Sequence, residues 1–256
     1  MVFIAFSLAP KYYANLKGGY SLMNINTELV KNKKYHVAIL HELVKVSQEY
    51  RVLATLRYLF PGVYEQMEHG DKPDLQDKTN KVGIEVTAAV QENDMKANRL
   101  LAEFDETSSE KLTKDLDKII NCGYDINIIY GKKSISRSGT VDSEKSCFQN
   151  AILKKCNKAD QYKADYAKIG LAVLLPEIPT SYAEDHLIDW VKELHSEIDK
   201  SFDFIYVISC RFCLLYDILN GNTDKKSLKS SDNQLLYIIA RMTAEEELTL
   251  DSIEWK

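Results

Sequence analysis

The chain has 256 residues, 45% of them apolar and 28% charged, with a formal net charge of -5. That length supports a sizeable core in one large domain or a domain plus subdomain, and the charge excludes a uniformly basic nucleic-acid coat while leaving room for a local basic cleft. No apolar run approaches the ~20 residues that a membrane span needs, "MVFIAFSLAP" lacks the basic start and cleavage site of a signal peptide, and five scattered cysteines fit reduced thiols. A cytoplasmic protein without a membrane partner is expected.

Residues 1–36 read as a peripheral segment. "VAILHELVKVSQEYRVLATLRYLF" (37–60) is the strongest helix: Ile39, Leu43, Val46, Tyr50 and Leu53 recur at helical spacing, and Pro61-Gly62 stops it. "VYEQME" (63–68) alternates as a strand, "PDLQD" (73–77) follows with Pro73 at its start, and "KVGIEVTAAV" (81–90) is the best strand of the three. Residues 92–120 read as a polar helical segment, "DINIIY" (125–130) as a strand, and "GKKSISRSGTVDSEK" (131–145) as a loop. A helix is expected over 145–162, with Phe148, Ile152 and Leu153 on its apolar face. A buried central strand is expected at "IGLAVLL" (169–175), then an amphipathic helix over 183–198. "FDFIYVIS" (202–209) and "CLLYDIL" (213–219) are neighbouring strands, 220–233 is a polar linker, and a helix near 234–247 ends the chain. Cys210 and Cys213 form a lone CxxC without the second ligand pair that zinc needs, so they read as core packing.

This order predicts an α/β fold: a mixed central β-sheet flanked by helices. The domain spans residues 37–219, and 220–256 form a C-terminal linker and helix.

The hairpin of 73–77 with 82–86 carries two acids. Any even-length loop centred between Thr79 and Asn80 pairs residues whose numbers sum to 159, which sets Asp74 opposite Glu85, whereas a three-residue loop would shift the pairing by one. Alternation puts Glu85 and Thr87 on one face and Ile84 and Val86 on the other. Opposed side chains share a face, with Cβ atoms about 4.5–5.5 Å apart, so two carboxylates there repel. A bound divalent cation reverses the sign of that interaction, and Mg²⁺ accepts a few carboxylate oxygens together with water and phosphate. The other possibility is a surface hairpin with solvated acids.

Pro73-Asp74 followed by Glu85-Val86-Thr87, behind a long helix, resembles the PD-(D/E)xK nuclease superfamily, the restriction-endonuclease-like fold. The resemblance covers roughly residues 37–90, and 145–176 by architecture. It implies a metal-dependent nuclease that hydrolyses phosphodiester bonds with Mg²⁺ (or Mn²⁺) held by Asp74, Glu85 and the Val86 carbonyl. Glu49 from the preceding helix is expected to complete the site, with Glu42 seven residues earlier on the same face. Thr87 stands where the family has lysine; its hydroxyl can hydrogen-bond a water but supplies no charge. Lys145, Lys155 or Lys158 of the later helix are candidates for a migrated lysine, with Gln149 as a polar partner. The alternative is a catalytically inactive member acting as a nucleic-acid-binding or assembly module; a third reading is an α/β protein with an unrelated small-molecule cleft.

The expected partner is nucleic acid, DNA in the first place, and a homodimer is compatible with the fold. Lys132, Lys133 and Arg137, together with Gln149, Lys155 and Lys158, are the expected phosphate contacts; each basic cluster also reads as solvated surface. His69, four residues before Pro73, reads as a turn histidine near the cleft rim. His41-Glu42 opens like a zinc-protease motif, but Lys45 stands where the second histidine would be.

Overall fold

The computed structural model describes residues 2–4, 41–90, 120, 125–129, 132–137, 140–159, 161–175 and 179–255. The strands are β1 (Val2–Ile4), β2 (Glu68–His69), β3 (Leu75–Asp77), β4 (Val82–Ala88), β5 (Asp125–Ile129), β6 (Lys132–Arg137), β7 (Lys168–Leu174), β8 (Phe204–Ile208), β9 (Phe212–Asp217) and β10 (Thr223–Ser227). The helices are α1 (His41–Leu59), α2 (Val141–Ala159), α3 (Ser181–Lys192), α4 (His195–Ile198) and α5 (Ser230–Ala244), with a 3₁₀ turn at Leu250–Ser252. None of the described helices is long and apolar enough to cross a membrane.

Seven strands form one mixed sheet in the order β10-β9-β8-β7-β4-β3-β2. Its centre is parallel, β4 to β7 and β7 to β8, and its flanks are antiparallel. The apolar run of β7 follows from this place: a strand with parallel neighbours on both sides is covered on both faces. Ile169, Leu171 and Val173 enter the core under α2, α3 and α4, whereas Ala172 and Leu174 enter the core under α1 and α5. The α/β class with helices on both faces of a mixed sheet is therefore as the element order predicts. β1, β6 and β5 form a separate three-stranded antiparallel sheet.

Several boundaries differ from expectation, each for a local reason. Helix α1 ends at Leu59, and Gly62 takes the left-handed φ of +81° that ends the turn. The expected strand at 63–68 is mostly turn. The buried Arg57 guanidinium takes the carbonyls of Tyr64 (3.3 Å), Glu65 (3.1 Å) and Met67 (2.9 Å), so these groups are satisfied by a side chain instead of a neighbouring strand. The expected loop at 131–145 is instead β6 followed by the start of α2. Lys132-Lys133-Ser134-Ile135-Ser136-Arg137 pairs with both β1 and β5, so main-chain pairing outweighs a composition rich in turn residues. Thr140 and Ser143 cap α2 reciprocally, each side-chain oxygen accepting the other's N–H.

The helix expected over 183–198 is two helices, divided where Leu194 leaves helical geometry (φ -96°, ψ 13°). The polar linker expected at 220–233 contains β10, an exposed edge strand paired with β9 and rich in lysine, as solvent-facing edges tend to be. Helix α5 packs on α1, so β10 and α5 extend the same sheet and helix layer instead of trailing from it. Cys213 is buried on β9 and Cys210 half-buried in the preceding turn, both as free thiols. The expected helix at 92–120 lies, but for Ile120, outside the described residues.

Candidate metal centre

The β3–β4 hairpin pairs Leu75 with Ile84, Gln76 with Gly83 and Asp77 with Val82. Every pair sums to 159, the register expected from the even four-residue connection. One step beyond the last ladder pair stands Asp74, and Asp74 Oδ2 accepts the N–H of Val86 at 2.8 Å. Gly83 permits this closeness: a Cβ there would lie 2.5 Å from the Pro73 ring, which packs over β4 immediately before Asp74. Glu85 pairs in register with Leu171 of β7, whose side chain enters the core under α2, so Glu85 points to the α2 side of the sheet. Ile84 and Val86 enter the opposite core, as alternation requires.

Both acids are buried, Asp74 at 3% and Glu85 at 2% exposure. Like charges so placed require a counter-charge. The structure supplies one from α2: Lys155 Nζ lies 2.6 Å from Glu85 Oε2 and 3.3 Å from Asp74 Oδ2. Their proximity is therefore already tolerable without a divalent ion, a correction to the reasoning from repulsion alone. Of the candidate migrated lysines, Lys155 is the one in the acid centre. Lys145 pairs with Glu193 at 2.6 Å, Gln149 donates to the Trp190 carbonyl and to Glu193, and Lys158 is exposed. Lys145 and Gln149 thus tie α2 to α3 instead of facing the acids.

A second lysine approaches from α1. Lys45 Nζ lies 3.1 Å from Asp74 Oδ1 and 2.8 Å from Glu49 Oε1, one helical turn along the same face. Glu49 is buried at 2% exposure, and its Oε2 is 2.6 Å from His69 Nε2; the His69 ring lies against Tyr50, with centroids 4.8 Å apart. Glu49 is joined to Asp74 through Lys45, without direct carboxylate contact being needed. Tyr162, just beyond α2, hydrogen-bonds Glu85.

These contacts set the electrostatics. Burial pushes the Asp74 carboxyl up, but the Val86 N–H, Lys155 and Lys45 together outweigh it and hold Asp74 below its ordinary value. The Glu49 carboxylate, joined by Asp74, raises Lys45 above the usual lysine range against the opposing effect of partial burial. Burial, then the bond to Glu85, raises the Tyr162 phenol, which stays protonated and able to donate.

Among the described residues, no three His, Cys, Asp or Glu side chains converge as a ready-made metal cluster. The donor set nevertheless suits Mg²⁺, which binds through one or two carboxylates and completes its shell with water and phosphate oxygens. Asp74 and Glu85 converge on one point, the Lys155 ammonium. In a strand the N–H and C=O of one residue face the same neighbour. Val86 gives its N–H to Asp74, so its carbonyl lies on that same edge of β4. Thr87 is half-buried on the Glu85 side of β4. Glu42 is exposed. Lys132, Lys133 and Arg137 lie on β6, and their side chains are outside the described residues.

Lys45 and Tyr162 are not among the site residues expected from the sequence. Lys45 carried a usable signal, the i, i+4 spacing to Glu49 on one helix. Tyr162 carried none, because only the packing of α2 over β4 brings it to Glu85. Comparisons with protein-family models, with curated proteins and with solved structures give no match to this chain.

Proposed function

We propose that the chain is a metal-dependent nuclease of the PD-(D/E)xK type, hydrolysing phosphodiester bonds of nucleic acid, with DNA as the expected substrate and Mg²⁺ or Mn²⁺ as cofactor. The observation that carries this reading is Lys155 Nζ between Asp74 and Glu85, at 3.3 and 2.6 Å. It answers the departure at Thr87: a lysine stands beside the two acids, delivered by a helix instead of by the strand.

Asp74, Glu85 and the Val86 carbonyl would hold the ion, with Glu49 completing the site. The chemistry supplied by a bound divalent ion is charge neutralisation at the scissile phosphate and activation of the attacking water. Lys155 hydrogen-bonds and orients that water and offsets negative charge as the phosphorus centre becomes five-coordinate. Tyr162, beside Glu85 and with its phenol raised, remains protonated and takes no proton from the water. In-line attack leaves a 5′-phosphate and a 3′-hydroxyl.

A second reading, a non-catalytic nuclease-fold module that binds nucleic acid, draws support from Thr87 and from the lysine neutralisation of both acids. Cleavage of plasmid and single-stranded DNA in Mg²⁺ or Mn²⁺ separates the two. The nuclease reading expects cleavage by the wild type and a loss of at least about 100-fold in Asp74→Asn, Glu85→Gln and Lys155→Ala. No cleavage with either metal, with nucleic-acid binding unchanged in the variants, supports the module instead.

A further inference from the structure

Resting on the metal reading of this centre, we propose that Lys45 is an intramolecular counterion that competes with the divalent cation, so that metal binding expels its ammonium from between Glu49 and Asp74. The two lysines at the centre are unequal. The Lys155 side chain is 13% exposed and is held between Asp74 and Glu85; the Lys45 side chain is 68% exposed and touches the acids only with its tip. The Lys45 side chain can swing its ammonium out into water without disturbing any packing, because most of its stem is already exposed.

The oxygens it would release are distinctive. Asp74 Oδ2 is already engaged by the Val86 N–H and Lys155, whereas Asp74 Oδ1 faces Lys45. Glu49 Oε1 is buried, and the group beside it is the Lys45 ammonium at 2.8 Å. His69 grips Glu49 by Oε2, which leaves Oε1 aimed at the same place after Lys45 departs. Departure of one exposed side chain therefore uncovers two carboxylate oxygens from different elements, α1 and the hairpin. A buried oxygen with only a displaceable charge beside it is the arrangement expected of a cation position filled by a lysine stand-in.

The test is Mn²⁺ binding by titration calorimetry, with no nucleic acid present, on wild type, Lys45→Met and Lys45→Gln. Methionine keeps the length without charge; glutamine keeps a donor without charge and is the second variant if methionine fails to fold. The expected result is Mn²⁺ binding tighter by about tenfold in both variants, with a larger Mn²⁺-dependent rise in melting temperature than in wild type. Equal or weaker binding in the variants, with wild-type binding intact, overturns the role of Lys45 and leaves the metal reading standing. Absence of Mn²⁺ binding in all three proteins overturns both.

Discussion

Asp74 and Asp77 lie three residues apart in one hairpin, and both are buried, at 3% and 2% exposure. They are satisfied in opposite ways. Asp77 is bound by its own turn: Oδ1 accepts the Asn80 N–H and Oδ2 the Asn80 amide, each at 2.8 Å. The partners of Asp74 include two lysines from different helices, α1 and α2. An acid held by fixed amide donors builds a turn. An acid held by side-chain cations has partners that can be exchanged for another cation, which is the property a metal centre needs. Burial alone does not separate the two; the kind of partner does.

The largest expected effect at the site end is on stability. Lys155→Met leaves two buried carboxylates without their shared counter-charge and should cost about 3–5 kcal/mol in urea unfolding at neutral pH. A loss below about 1 kcal/mol would erase the distinction, since Asp74 would then be satisfied as locally as Asp77. At the turn end, Asp77→Ala removes both bonds to Asn80 and unsettles the turn in which Lys81 holds φ at +53°. A cost of about 1–3 kcal/mol is expected, with the rate of any metal-dependent cleavage unchanged. A large fall in that rate at equal folded fraction would move Asp77 into the functional class.

The pH dependence sharpens the same contrast. Asp74 titrates below its ordinary value of 3.8, so its contribution to stability is fully present above that value. It is lost as pH falls from there through the lowered folded value. Asp74→Asn should flatten this part of the acid limb below the ordinary carboxylate range, read from unfolding free energy at a series of pH values. An unchanged acid limb would mean the lysines do not stabilise the ionised form. The smallest effect is that of Tyr162→Phe, which removes the hydrogen bond to Glu85 and should cost about 1 kcal/mol, together with a modest fall in cleavage rate. A neutral substitution in both assays would make Tyr162 a packing residue only.

Much of the sheet was legible because its signals are local. The β7 run, the alternation of β4 and the even connection between β3 and β4 each depend on a few adjacent residues, and the register summing to 159 followed from them. β6 and β10 were not legible. Both are polar strands that close short hairpins, β6 on β5 and β10 on β9, and backbone pairing leaves no apolar pattern in them, so composition pointed to loop and linker. The segment before His69 misled for another reason: Arg57, from the preceding helix, captured carbonyls that alternation had assigned to a strand.

By itself the sequence determined that Asp74 and Glu85 would face each other from adjacent segments if the connection between β3 and β4 is even, because side-chain alternation and loop parity then leave little freedom over so short a span. Only the tertiary structure decided what neutralises them. Lys155 reaches Glu85 across 70 residues because β7 pairs in parallel with β4 and α2 lies over that pair, and Lys45 reaches Asp74 because α1 packs against β2 and β4 on either side of β3. Charge attraction is too unspecific in direction and too long in reach to be read from spacing; it acts on whichever side chains the packing of helix on sheet brings together.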